Sequence, residues 1–296
     1  MAYKDSLFRS IFGNEKSALG LYNAVHGTSL RAEETEVEIA TLGEILWTSG
    51  KNDLAFTLGG ALVVIVEHQS SINENMPYRM LQYVCRLFEN AIEDKNSVYR
   101  RARVMRRRPR FIIFYNGAAP FPDRKTMLLS ESYLPALAGY DGIALELEIE
   151  VYNINDGRNS AILEACADLK GYAFFVARAR FHERDLKAQG GLTSKEITIE
   201  AIRRAIRDCK DAGLLTEYWD KLTNEEMNML ANDWNMETAL EVRGEEEFER
   251  GVEKGRESGR MEIAMNALAE GLPLGVIQKL TGLDTQTITG LSQRAP

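Results

Sequence analysis

Leu62-Val63-Val64-Ile65-Val66 is an apolar run with no polar position at either side of a pleat, and Gly59-Gly60 just before it marks a turn. A strand apolar on both faces belongs in the middle of a covered sheet, so this run calls for helices above and below it. The neighbouring chain supplies them. From Asp5 to Val25, residues Leu7, Phe8, Ile11, Phe12, Leu19, Tyr22 and Val25 recur at helical spacing. Asp5 or Ser6 is placed to cap the first turn, and Gly13-Asn14 interrupts or kinks the helix. Glu36 to Trp47 alternates as a strand, and a second extended piece begins at Asp53. Pro77 suits a first helical turn, after which Met80, Leu81, Val84, Leu87, Phe88 and Ile92 form an apolar stripe ending near Asp94. Phe111 to Tyr115 is a further buried strand closed by Asn116-Gly117, Ala144 to Tyr152 alternates as another, and Ser160 to Asp185 reads as one long helix. The expected fold is α/β, with a mixed sheet of about four to five strands and flanking helices, followed by an α-helical C-terminal region.

No strand is expected after Thr193. Helical segments run from Ser194 to Ala212 and Asn224 to Leu230, followed by a charged stretch from Glu237. Gly251, Gly255 and Gly259 recur every four residues within Glu241 to Glu262. They suit either a solvated, partly frayed linker helix or a face for self-association, each glycine costing about 1 kcal/mol of helix stability. Three short helical pieces close the chain, around Met261–Ala269, Pro273–Leu280 and Asp284–Leu291, with the rhythm of a helix-turn-helix but few basic residues. The expected domains are 1–190, 191–240 and 241–296.

With 44 acidic against 36 basic residues the net charge is −8, which argues against a general attraction to nucleic acid. No apolar run approaches the roughly 20 residues of a membrane span, and the start lacks a signal peptide's apolar stretch. A cytoplasmic protein without membrane contact is expected. Three scattered cysteines and three scattered histidines form neither a disulfide framework nor a local zinc motif.

The candidate chemistry surrounds the first hairpin. Glu67 and Gln69 leave the apolar strand two residues apart, so period-2 alternation points both to one face, and Asp53 opens the preceding strand. A two-residue Gly59-Gly60 loop would pair Asp53 with Val66, whereas a three-residue loop or one bulge pairs it with Glu67; the second register is expected. A carboxylate leaving such an apolar strand must be paired, hydrated or bound to a cation. Two of them suit Mg²⁺, which takes one or two carboxylates plus waters and phosphate oxygens. The chemistry implied is phosphodiester hydrolysis, with Gln69 orienting the attacking water; two solvated strand-end acids are the plain alternative.

The pattern Asp5-x-x-Phe8-Arg9-x-x-Phe12, Asn52-Asp53-Leu54, Glu67-His68-Gln69-Ser70-Ser71, Met76-Pro77-Tyr78-Arg79-x-x-x-Tyr83 and Tyr115-Asn116-Gly117 resembles the recombination-promoting nuclease family. Its members are often labelled transposases and belong to the PD-(D/E)XK nuclease superfamily. The resemblance covers roughly residues 3 to 185, and the tail around Glu249-Arg250-Gly251 to Gly259-Arg260 is similar too. It implies a restriction-endonuclease-like core and a Mg²⁺-dependent DNA endonuclease. Asp53 and Glu67 would be metal ligands, with the His68 backbone carbonyl a possible third, and Gln69 would stand where the superfamily has lysine.

Around this centre, Arg79, Tyr83 and Arg86 share a helical stripe that either reaches phosphate or is a solvated face. His68 alternates away and reads as a packed histidine. Glu36 or Glu38 is either a further carboxylate of the site or an exposed strand residue. Ser97 to Arg110 holds seven arginines and no acid. Arg103, Arg106, Arg107, Arg108 and Arg110, with Arg79, are candidate DNA contacts, because the arginine fork binds phosphate through two hydrogen bonds. A solubilising loop offset by Glu89, Glu93 and Asp94 is the other reading. The expected partners are DNA and a second copy of the chain, dimerising through the C-terminal helices. The competing functions are a catalytically weak member that binds nucleic acid or protein, and an assembly protein organised by its tail.

Overall fold

The structure is a computed structural model. It describes residues 7–40, 53–71, 73–92, 94–135 and 142–292, with the side chains of 40, 53, 67, 95, 233, 235–249 and 292 excepted. The expectations placed on Asp5, Ser6, Leu42, Ile45, Trp47, Asn52 and Glu93 lie outside the described residues.

Two compact units divide the chain, Met1–Glu237 and Thr238–Pro296. The first is built on a mixed sheet of six strands among the described residues: β1 (Val37–Ala40), β2 (Asp53–Leu58), β3 (Leu62–Gln69), β4 (Arg108–Tyr115), β5 (Arg124–Leu128) and β6 (Glu148–Asn153), in the order β1-β2-β3-β4-β6-β5. β3, β4 and β6 run parallel, while β1 to β3 form antiparallel neighbours and β5 pairs antiparallel with β6. This is more strands than the sequence pattern promised. The addition is β5, whose residues are exposed or half-buried except for Met127, so it has no apolar alternation to betray it.

Both faces of β3 are covered, as the uninterrupted apolar run requires. On one side Val64, Val66, Ile112 and Phe114 pack with α1 (Leu7–Phe12), α2 (Glu15–His26), α4 (Ser160–Ala165), α5 (Ala167–Gln189) and α6 (Ser194–Asp211). On the other side Ile65, Ile113, Tyr115 and Val151 pack with Met76, Met80, Tyr83 and Val84 of α3 (Met76–Asn90). Local signals set the helix limits. Asn14 caps α2 by accepting the Ser17 N–H at 3.0 Å, Gly27 ends it with a left-handed φ of 62°, and Thr193 with Glu196 forms a capping box for α6. The core of this unit extends through Ile202, Ala205, Cys209, Trp219 and Ala231. The compact body that contains the sheet thus continues past residue 190 through α6 and α7 (Thr216–Lys221).

Two helical expectations are corrected. The helix expected over Ser160–Asp185 is two helices, since Cys166 is extended (φ −131°, ψ 100°) between α4 and α5. Asp168 in the first turn of α5 accepts the Ser17 hydroxyl at 2.7 Å, a tertiary contact that no periodicity could reveal. The separate pieces expected between Asn224 and Ala269 are one helix, α8 (Asn224–Ala269), because this stretch contains no proline and its glycines weaken a helix without breaking it.

In the second unit, Ala264 and Ala267 of α8 pack with Ile277 of α9 (Leu274–Thr281) and Ile288 of α10 (Thr285–Ser292). Gly282 turns the chain between α9 and α10 with φ 68°, and Asp284 accepts the Thr287 N–H at 2.8 Å. Among the described residues no helix is long and apolar enough to cross a membrane.

Candidate functional site

The hairpin joining β2 and β3 turns through three residues, Gly59, Gly60 and Ala61, with Leu58 paired to Leu62. The two glycines have φ of 54° and 64°, the left-handed region that a side chain would make costly. This turn gives the register in which Asp53 pairs directly with Glu67. Directly opposed antiparallel residues share a face, and here it is the face of Ala55, Thr57, Val63, Ile65 and Gln69, against which α3 packs.

Gln69 sits beside the start of α3 and is almost fully buried, its Nε2 reaching the Met76 sulfur at 2.8 Å. Arg79 Nη1 lies 3.2 Å from the same sulfur, and its Nη2 donates to the Tyr83 hydroxyl at 2.8 Å. One sulfur therefore brings the Gln69 amide and the Arg79 guanidinium together, three residues along the helix being one turn. Tyr83 is buried in the core of this face, so the stripe that holds Arg79 is anchored through it. His68 points to the opposite face, where its Nε2 lies 3.0 Å from the Tyr172 hydroxyl and its ring stacks on Phe8. It is a packed histidine.

Next to Gln69, the ends of β4 and β6 carry polar residues that sequence reasoning missed as a group. The Asn116 N–H donates to the Gln69 carbonyl at 2.9 Å, and Arg180 from α5 donates to the Asn116 carbonyl at 2.7 Å and to its Oδ1 at 3.2 Å. The buried Asn116 Nδ2 has no hydrogen-bond partner among the described residues. Asn155 Nδ2 bridges the Gly117 carbonyl at 3.0 Å and Asn153 Oδ1 at 2.9 Å. Gly117 has to be glycine, because an added Cβ would stand 1.9 Å from the Ser70 carbonyl oxygen. A signal for this cluster was available: Asn153-x-Asn155 repeats the pattern of Glu67-x-Gln69, two polar residues spaced by two at the end of an apolar strand. Only Arg180, brought in from a distant helix, left no trace in the sequence.

Asp53, Glu67, Gln69 and Arg79 thus gather at the carboxyl end of the parallel strands. The other five candidate arginines do not. Arg108 opens β4 and pairs with Leu62, five strand residues from Glu67, or about 17 Å along the sheet. Arg103, Arg107, Arg108 and Arg110 are exposed and Arg106 half-exposed. Arg107 reaches the Gly60 carbonyl at 3.2 Å and Glu38 at 3.9 Å. Glu38 pairs with Thr57, so it belongs to this arginine end and stands four strand residues away from Asp53. Arg100 pairs with Asp94 at 2.5 Å, as a charge-compensated loop would have it, while Arg101, Arg103, Arg106, Arg108 and Arg110 have no ion-pair partner among the described residues.

Other reactive groups offer little. Burial pushes the Cys166 thiol up to about 11 and the Cys209 thiol up to about 12, so neither supplies a thiolate near neutral pH. Among the described residues no group of three or more His, Cys, Asp or Glu could hold a metal ion. The backbone positions of Asp53 and Glu67 are directly paired, which places two carboxylate residues on one face of the sheet, and carboxylates are the kind of hard oxygen donor that Mg²⁺ takes together with waters. Compared with known proteins, the chain matches no family model, no curated protein and no solved structure.

Proposed function

We propose that the chain is a Mg²⁺-dependent DNA endonuclease with a restriction-endonuclease-like core, of the recombination-promoting nuclease type. The observation that carries this reading is the register pairing Asp53 with Glu67 at the carboxyl end of β3, where open α/β sheets bind their ligands. Asp53 and Glu67 would hold the ion. Bound there, Mg²⁺ supplies charge to polarise a scissile phosphate and to lower the pKa of an attacking water. Gln69 orients that water through its amide, which offers a hydrogen bond but no charge. Arg79 meets Gln69 at the Met76 sulfur, and so supplies a permanent cation on the same side of the sheet for the charge that develops on phosphate. The Tyr83 hydroxyl and the one-turn spacing fix the guanidinium, which limits the reorganisation needed during reaction.

The test is nicking of supercoiled plasmid by the full chain, with Mg²⁺ or with a chelator, beside Asp53→Ala and Glu67→Ala. Metal-dependent nicking by the wild type that both substitutions abolish is the expected result. Equal nicking by all three proteins, or by none, removes the enzyme reading.

A further inference from the structure

At the arginine end of the same sheet face lies a groove of about 880 Å³. Its floor is apolar, formed by Val63 of β3 with Leu87 and Phe88 near the end of α3, and its rim carries Met105, Arg106 and Arg108. Thr57 and Val63, which also line it, are directly paired and occupy the face that carries the Asp53–Glu67 pair. Helix α3 runs between the two places, Met76 and Arg79 at the carboxylate end and Leu87 and Phe88 at the groove, a span of about 22 Å for its 15 residues.

We infer that this groove holds the unstacked bases of a single-stranded nucleic acid whose phosphates lie along the arginine segment. The inference rests on the nuclease reading for the choice of ligand class and deepens it by naming the strand state. Charge complementarity selects the occupant. Ser97 to Arg110 holds seven arginines, of which only Arg100 and Arg107 have a carboxylate within ion-pair distance among the described residues. A ligand with one anionic head would use one of the remaining cations, whereas a polyanion with a regular phosphate repeat uses several. The apolar component selects within the polyanions. A duplex presents phosphate and sugar to such a surface, leaving an apolar floor unmatched, while a single strand offers the faces of its bases. Large apolar side chains stand exposed within the same segment, Tyr99 at 87% and Met105 at 79% of their full accessibility, where a base could stack. The roughly 17 Å from the groove end of β3 to Glu67 is covered by about five nucleotides at the stacked rise of about 3.4 Å and by fewer once the bases are unstacked, so one short strand spans both places.

The test is fluorescence anisotropy in chelator, where no cleavage occurs, with a labelled oligothymidylate of about 20 nucleotides and a duplex of the same length. The full-length wild type is compared with Tyr99→Ala and Met105→Ala, both at exposed positions that leave the core untouched and the charge unchanged. The expected result is at least tenfold tighter binding of the single strand than of the duplex. Each substitution should weaken single-strand binding about tenfold, within the range for loss of one base stack, and leave duplex binding unchanged. Equal or tighter duplex binding, or unaltered single-strand affinity in both variants, would overturn the inference. So would saturable binding of oleate without binding of the oligonucleotide, which would assign the groove to an anionic amphiphile. A single-strand preference in a protein that never cleaves would leave the groove standing and remove the nuclease reading. Metal-dependent cleavage without that preference would do the reverse.

Discussion

The two ends of the β2–β3 hairpin are built on opposite principles. At the carboxyl end, Gln69, His68, Asn116 and Asn153 are buried polar side chains, and Arg180, Tyr172 and Asn155 brace them from other elements. At the turn end, the arginines are exposed or half-exposed, and Arg107 is the one among them whose side chain reaches other strands and turns in the described residues, through the Gly60 carbonyl and Glu38. Buried polar groups are costly unless hydrogen-bonded, and the bonds made by Arg180, Tyr172 and Asn155 hold this end in fixed geometry even though Asn116 Nδ2 has no partner among the described residues. Exposed arginines keep their side-chain freedom and act through charge, which suits holding a flexible polyanion. The contrast separates where a reaction would occur from where its substrate would be held, with α3 linking the two.

The largest effect should follow from breaking the braced end. Gly117→Ala forces a Cβ against the Ser70 carbonyl, a backbone atom that cannot swing aside. It should cost more than about 3 kcal/mol and lower Tm sharply, or prevent folding, in thermal melts. Removing Arg180 leaves the Asn116 carbonyl and amide without their charged donor inside the protein. Arg180→Met should therefore destabilise by about 2 kcal/mol in denaturant titrations, whereas a value near zero would mean water replaces the guanidinium freely.

How much of this was legible beforehand depends on what kind of signal each residue leaves. The apolar run of β3 and the paired glycines before it announce a covered strand and a turn, but they leave the register open between a two-residue and a three-residue turn, and it is the structure that makes Ala61 the third turn residue. Helix α3 showed its apolar stripe and its first-turn proline. β5 left nothing, because an edge strand with one buried residue has no alternation. Cys166 gave no warning of a helix break, because the break serves contacts with α2 that are distant in sequence. In the site, strand-end spacing revealed Glu67 and Gln69 but the same spacing at Asn153 and Asn155 passed unread. The arginine segment was recognised as a unit, but its distance from the carboxylates depends on β4 running parallel to β3, which places the start of β4 at the far end of the sheet.

Smaller effects sharpen the contrast from the exposed end. Arg106→Ala combined with Arg108→Ala should leave Tm unchanged and reduce the salt slope of single-strand binding by about 1.4, since each phosphate contact contributes about 0.7. An unaltered slope would make the segment a solubilising loop. The smallest effect lies in the helical cover, away from both ends. Burial raises the pKa of Asp208, but hydrogen bonds from His182 and Arg178 outweigh it and hold the carboxyl below its usual value of 3.8. Because the folded pKa is depressed, this group stabilises the fold above pH 3.8, and the contribution fades as pH falls through the lowered value. Acid titrations of stability should show this loss in the wild type and lack it in Asp208→Asn, with cleavage at neutral pH unchanged.

Cleavage and binding measured side by side test the division of labour most directly. Steady-state cleavage of a labelled single strand in Mg²⁺ and its anisotropy in chelator are compared for the wild type, Asp53→Ala and the Arg106/Arg108 double alanine variant. The expected result is that Asp53→Ala loses cleavage and keeps its affinity, while the double variant keeps kcat and raises KM. Cleavage that survives in Asp53→Ala, or a double variant that loses kcat with its KM intact, would contradict the assignment of chemistry to one end of the hairpin and substrate holding to the other.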